Sequence, residues 1–188
     1  FSEFMTDSST EVIFGYIRAE NRSINEIIEI KNLAVGAYSG TSDDNGRINV
    51  GLDLSIGHVD IFDYGAKNLI FKTEMKNLDK KTIEKLILVG EYDLWSDEID
   101  FLSFFKASPE FNITELSGVT TEGKFSGYMD TKFSDISSLP NDLENSSFWL
   151  SKVLIDSTLV LDERFVSWAG MTLLEAQFTD ADFLNGIL

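Results

Sequence analysis

Ile48, Val50, Leu52, Leu54 and Ile56 alternate without a break against Asn49, Gly51, Asp53 and Ser55. A strand sends successive side chains to opposite faces, so this run predicts one apolar and one wet face. Asp43-Asp44-Asn45-Gly46, just upstream, supplies residues that tolerate the positive φ angles of a tight hairpin. Thr10–Arg18 reads as a strand with Val12, Phe14 and Tyr16 on one face and Ile13, Gly15 and Ile17 on the other. Ile24–Ile30 and Leu33–Ser39 read as two strands flanking a short break.

Further along, residues 78–89 fit either a helix capped by Asp79 or the start of a strand. Ser96–Phe105 predicts a short helix with an acidic start, ending before Pro109. Phe111–Leu116 and Lys124–Phe133 form a predicted hairpin around Thr120–Gly123, and Ser134–Ser147 an exposed loop. Trp149–Leu161 returns to alternation, with Val153, Ile155, Leu159 and Leu161 on one side. In Glu163–Glu175, Phe165, Trp168, Met171 and Leu174 recur at helical spacing. About eight strands with one or two short helices favour an antiparallel sheet, closed as a barrel or folded as a sandwich. An eight-stranded barrel is just wide enough to hold one small ligand.

Composition narrows the function. No Pro-rich or Gly/Ser-rich linker divides the 188 residues, so one domain spanning 1–188 is expected. The net charge of −17 disfavours nucleic acid and anionic membranes as partners. No apolar run approaches the roughly 20 residues of a membrane span. The absence of cysteine excludes disulfides, thiolate metal sites and Cys nucleophiles. His58 is the only histidine, which rules out a multi-histidine metal site. No metalloprotease, serine-hydrolase, phosphate-loop or dinucleotide motif is present, so neither an enzyme nor a cofactor is expected. Asp43, Asp44 and Asn45 lack the ligand spacing of a calcium loop, and Asp97, Glu98 and Asp100 fit a helix start better than a catalytic pair. The aromatic residues Phe14, Phe71, Phe125, Phe133 and Trp149, with Met129, fit either an ordinary core or the wall of an apolar cavity.

A family resemblance tips that balance. Asn45-Gly46-Arg47-Ile48-Asn49-Val50 leads into Leu52-Asp53-Leu54-Ser55-Ile56, and Ile61…Asp63…Leu69-Ile70-Phe71 follows. This order resembles the YceI-like family, in which a Gly turn feeds an alternating strand ending in a D-L-x-S-V-type sequence, followed by an I-R-D/N-E-R-M-R…L-F loop. Phe125–Phe133, and Val153-Leu154-Ile155 through Phe165…Ala169-Gly170-Met171…Leu173-Leu174, look like the family's late strands and short helix. The resemblance implies a lipocalin-like antiparallel β-barrel that binds a long isoprenoid or related lipid, in a family many of whose members are exported to the periplasm and to which no enzymatic activity is firmly attached. A periplasmic or secreted location is the matching expectation, and a homodimer is compatible with it.

On this reading Phe14, Leu52, Leu54, Phe71, Phe125 and Met129 line the cavity, with Tyr16, His58 and Asp63 near its opening. The chain departs from the family where Phe62 replaces the Arg of the I-R-D element and Tyr64 and Gly65 replace the following charges, leaving Lys67. Fewer cations weaken a diphosphate head relative to a neutral quinone or a fatty chain. Two rivals stand beside this expectation. One is a β-sandwich with a filled core that serves protein contact. The other is an isomerase or cyclase needing a carboxylate inside the barrel; Asp53 and Asp130 are the candidates, both assigned to the solvent face.

Overall fold

The computed structural model describes residues 7–21, 26–41, 46–61, 64–85, 101–134, 136, 138, 140 and 146–178. Seven strands form one antiparallel meander in chain order: β1 (Ser8–Asn21), β2 (Glu26–Thr41), β3 (Arg47–Ile61), β4 (Tyr64–Asp79), β5 (Glu110–Thr120), β6 (Gly123–Phe133) and β7 (Val153–Leu161). Helix α1 includes residues 80–85, and α2 (Phe101–Lys106), α3 (Ser146–Leu150) and α4 (Glu163–Phe178) follow. β1 and β7 are the two edges, so the described sheet has seven strands, not about eight, and is open where a closed barrel was expected. Ile24–Ile30 and Leu33–Ser39 are not separate strands: the described part, from Glu26, is one strand running through to Thr41. Trp149 lies in α3, ahead of the strand it was expected to begin. Ile136 is buried, which modifies the exposed-loop expectation for Ser134–Ser147.

Residues opposite one another in an antiparallel pair share a face. Val12, Val35, Leu54, Phe71, Leu116, Gly127 and Leu159 therefore form one transverse row, and Phe14, Leu33, Ile56 and Leu69 another on the same apolar face. The opposite face carries Glu11, Gly36, Asp53, Lys72 and Glu115, and beside them Tyr38, Gly51, Glu74, Asn112, Asp130 and Asp156. Asp53 and Asp130 thus sit on the polar side, as their alternation predicts.

Four strands change phase together. Asn32 (φ 55°) and Asn68 (φ 51°) occupy left-handed backbone, in a row with Gly15 and Gly57. Asn tolerates this region through its short polar side chain. At Gly57 a Cβ would lie 3.0 Å from the Asn32 Cβ, so a side chain there would fit only if Asn32 shifts by a few tenths of an ångström. Before the row the apolar residues of β3 are Ile48 to Ile56; after it they are Val59 and Ile61, an odd step later. Val59 and Ile61 nevertheless face the same helix as Phe125 of the apolar face. Phe165 of α4 packs on Phe125 of the apolar face, with ring centres 5.6 Å apart, and with Trp168 it also faces Val59, Ile61 and Ala66. The left-handed residues keep the greasy side continuous across a slip in the alternation.

Helices cover this face at its two ends. At one end Ile48 and Leu78 are almost fully buried against Val50, Ile83 of α1 and Phe104 of α2. Asp79 accepts hydrogen bonds from the Thr82 backbone N–H (2.8 Å) and hydroxyl (2.7 Å), so the described part of the ambiguous stretch, to residue 85, is the capped helix, and 86–89 lie outside the described residues. Phe105 packs edge-on against Phe133 (5.1 Å) and tilted against Trp149 (4.7 Å). At the other end stand Phe165 and Trp168 of α4, with ring centres 5.5 Å apart.

Candidate functional site

Over β1–β3 the apolar face stays partly open. A trough of about 660 Å³ is lined by Val12, Val35, Ala37 and Val50, by the hydroxyl residues Ser8, Thr10 and Ser39, and by Tyr38 and Gly51. Ser8 and Ser39 hydrogen-bond to each other through their hydroxyls (3.0 Å), which leaves little polar demand on an occupant. Among the described residues, no charged side chain lines the trough. Its size falls in the range of small-molecule sites, roughly 300–1,000 Å³. A second hollow of about 380 Å³, beneath α4, is lined by Val59, Ile61, Tyr64, Ala66, Phe165 and Trp168 among others.

The expected lining residues divide by region. Phe14, Leu52, Leu54, Phe71, Phe125 and Met129 all project from the apolar face, with Leu54 directly opposite Phe71. They do not surround a closed cavity; Phe14 and Leu52 are 46% and 42% exposed. Tyr16 and His58 lie one row beyond the left-handed asparagines, both flanking Lys31. Their partners are polar: the Tyr16 hydroxyl donates to Glu29 (2.9 Å), and His58 Nε2 bonds Asp60 (2.6 Å). The other ring nitrogen of His58 is buried and finds no hydrogen-bond partner among the described residues. Asp63 lies outside the described residues, as do Asp43, Asp44, Asn45, Asp97, Glu98 and Asp100.

Sequence reasoning missed Val35, Ala37 and Val50 as trough residues. The signal was available, since Val35 and Ala37 alternate in β2 as Leu52 and Leu54 do in β3, and their registers bring the two pairs side by side. Asn32, Gly57 and Asn68 also marked the phase change, as left-handed or Cβ-free positions inside otherwise apolar runs.

The reverse side is an electrostatic lattice. Lys72 pairs with Glu115 (2.9 Å), Lys76 with Glu74 (2.9 Å) and Lys132 with Glu110 (3.3 Å). Hydrogen bonding to Glu115 raises the pKa of Lys72, and hydrogen bonding to Glu74 raises that of Lys76. Tyr38 is also pushed up from its ordinary 10.0, first by desolvation and then by the charges of Glu74 and Asp53. Among the described residues no three His, Asp or Glu side chains converge to hold a metal, and no helix is long and apolar enough to cross a membrane.

No family model matches the sequence, and comparisons with curated proteins and with solved structures likewise return no match.

Proposed function

We propose that this chain binds a hydrophobic molecule, such as an isoprenoid, a quinone or a fatty chain, without catalysis, along the apolar face of its sheet. The observation that carries the reading is the trough of about 660 Å³ on that face, whose described lining is uncharged. Apolar burial contributes roughly 0.8 kcal/mol per CH₂, so a linear chain gains affinity with few polar contacts. The uncharged lining, in a protein of net charge −17, favours a neutral head over a carboxylate or phosphate. Membership of the YceI-like family and export to the periplasm or beyond accompany this proposal and rest on the sequence resemblance. A lipocalin-like closed barrel would need β1 to meet β7, and the binding proposed here does not require it.

Organic extraction of the natively purified chain, with native mass spectrometry of the intact protein, tests the reading. One isoprenoid, quinone or acyl species near one per chain supports it. An apo mass that takes up no added quinone or polyprenol removes it.

A second reading, a module for protein contact, is favoured by a different observation. Leu154, Ile155, Leu159 and Val160 on edge strand β7 are each about 60% exposed.

A further inference from the structure

We propose that β7 is a self-recognition edge. Two copies of this chain would pair their β7 strands antiparallel about a two-fold axis at Ser157, joining two sheets into one. The proposal is independent of lipid binding.

The nine residues Val153–Leu161 pair only with β6 among the described residues, and every residue between the two end positions is exposed. An edge strand offers unpaired backbone N–H and C=O groups to another strand unless charges, proline or a bulge blunt it. β7 has no Pro, Lys or Arg, and Asp156 is its one charge. The opposite edge, β1, carries Glu11, Arg18 and Glu20.

The strand is its own complement. With Ser157 facing its copy, Ile155 meets Leu159 and Val153 meets Leu161 on the apolar face. On the other face Leu154 meets Val160, and Asp156 meets Thr158, so every bulky apolar residue has an apolar partner and no two carboxylates oppose. Opposed residues share a face, so the neighbouring registers lie one residue to either side of this centre. Centring on Asp156 would set two carboxylates face to face and leave Leu154 against Thr158. Centring on Thr158 would set Asp156 against Val160 and Ser157 against Leu159. Only the Ser157 register matches both faces. Charge opposes any association of chains at −17 each, so pairing should tighten as salt screens the repulsion.

Because the chain has no cysteine, an introduced one has only its copy to join. In the proposed register the two Cα atoms at 157 lie roughly 4.5–5.5 Å apart, within disulfide reach, whereas those at 158 are offset beyond about 7 Å. The full 188-residue chain is followed by sedimentation equilibrium in low and high salt. Ser157→Cys and Thr158→Cys are then oxidised with copper–phenanthroline under identical conditions. The expected results are a dimer favoured by salt, and cross-linking of Ser157→Cys at least tenfold faster than of Thr158→Cys. Leu154→Lys/Val160→Lys, at two exposed sites away from the trough, should weaken the dimer at least tenfold with an unchanged circular dichroism spectrum. A monomer at every concentration, equal cross-linking at the two positions, or a dimer unaffected by the double lysine variant would overturn the proposal.

Discussion

Tyr38 on β2 reaches across β3 toward the Glu74 carboxylate on β4, whose charge, after desolvation, helps push the phenol's pKa up. It can do so because the intervening residue is Gly51. A Cβ built on Gly51 would fall 2.2 Å from two Tyr38 ring carbons, so the ring occupies the space a side chain would fill. Glu74 is held by Lys76 at 2.9 Å on the same strand.

Gly51→Ala should therefore displace the ring from its place over β3 and move the phenol away from Glu74. Overpacking of this kind costs about 1–3 kcal/mol. Tyr38→Phe, which keeps the ring and loses only the hydroxyl, should cost about 1 kcal/mol at most, since the group is partly exposed. Urea denaturation of both variants checks the order; a Gly51→Ala protein as stable as the parent would mean the ring has another resting place.

Alkaline pH should destabilise the fold. Tyr38, Lys72 and Lys76 all have pKa values raised in the folded state above their ordinary 10.0 and 10.5. The folded chain then holds protons that the unfolded chain releases, so their contribution is complete below about pH 10 and is lost as pH rises through the folded values. Denaturation midpoints at about pH 8 and about pH 11 measure the loss, and Tyr38→Phe should remove a tyrosinate absorbance that titrates above the ordinary 10.0.

Asn32 should accept glycine and reject valine. Its φ of 55° suits Gly at no steric cost, whereas a β-branched residue there costs roughly 1–2 kcal/mol or more. Thermal melts of Asn32→Gly and Asn32→Val give the contrast. Equal destabilisation by the two would show that the Asn side chain, not its backbone, matters at this bend.

Asp79→Ala should cost about 1 kcal/mol or somewhat more, the usual worth of a helix cap. The loss also strands the buried Thr82 hydroxyl, which donates to Asp79 at 2.7 Å. Thr82→Val in the Asp79→Ala background should recover part of it, measured as a double-mutant cycle.

Ala37→Trp should fill the trough without disturbing the fold, because Ala37 is exposed on the apolar face. Bound lipid should fall several-fold by native mass spectrometry while far-ultraviolet dichroism stays unchanged. Full retention of lipid would move the binding position away from β1–β3.

Much of this architecture was legible along the chain. Period-two alternation in residues 48–56 and 153–161, the left-handed glycine at Gly46 and the turn before Gly123 all report local backbone preference, and the strands fall where those signals lie. The amphipathic character of the sheet follows from the same local period. Local pattern does not contain pairings between distant strands. Whether β1 meets β7 depends on the stagger and tilt accumulated over the whole sheet, and no residue window records that sum. The side taken by Val59 and Ile61 was likewise decided by tertiary structure. Their alternation alone sets them against Ile56, and only the left-handed Asn32 and Asn68, with α4 packed across Phe125, return them to the face that buries apolar surface.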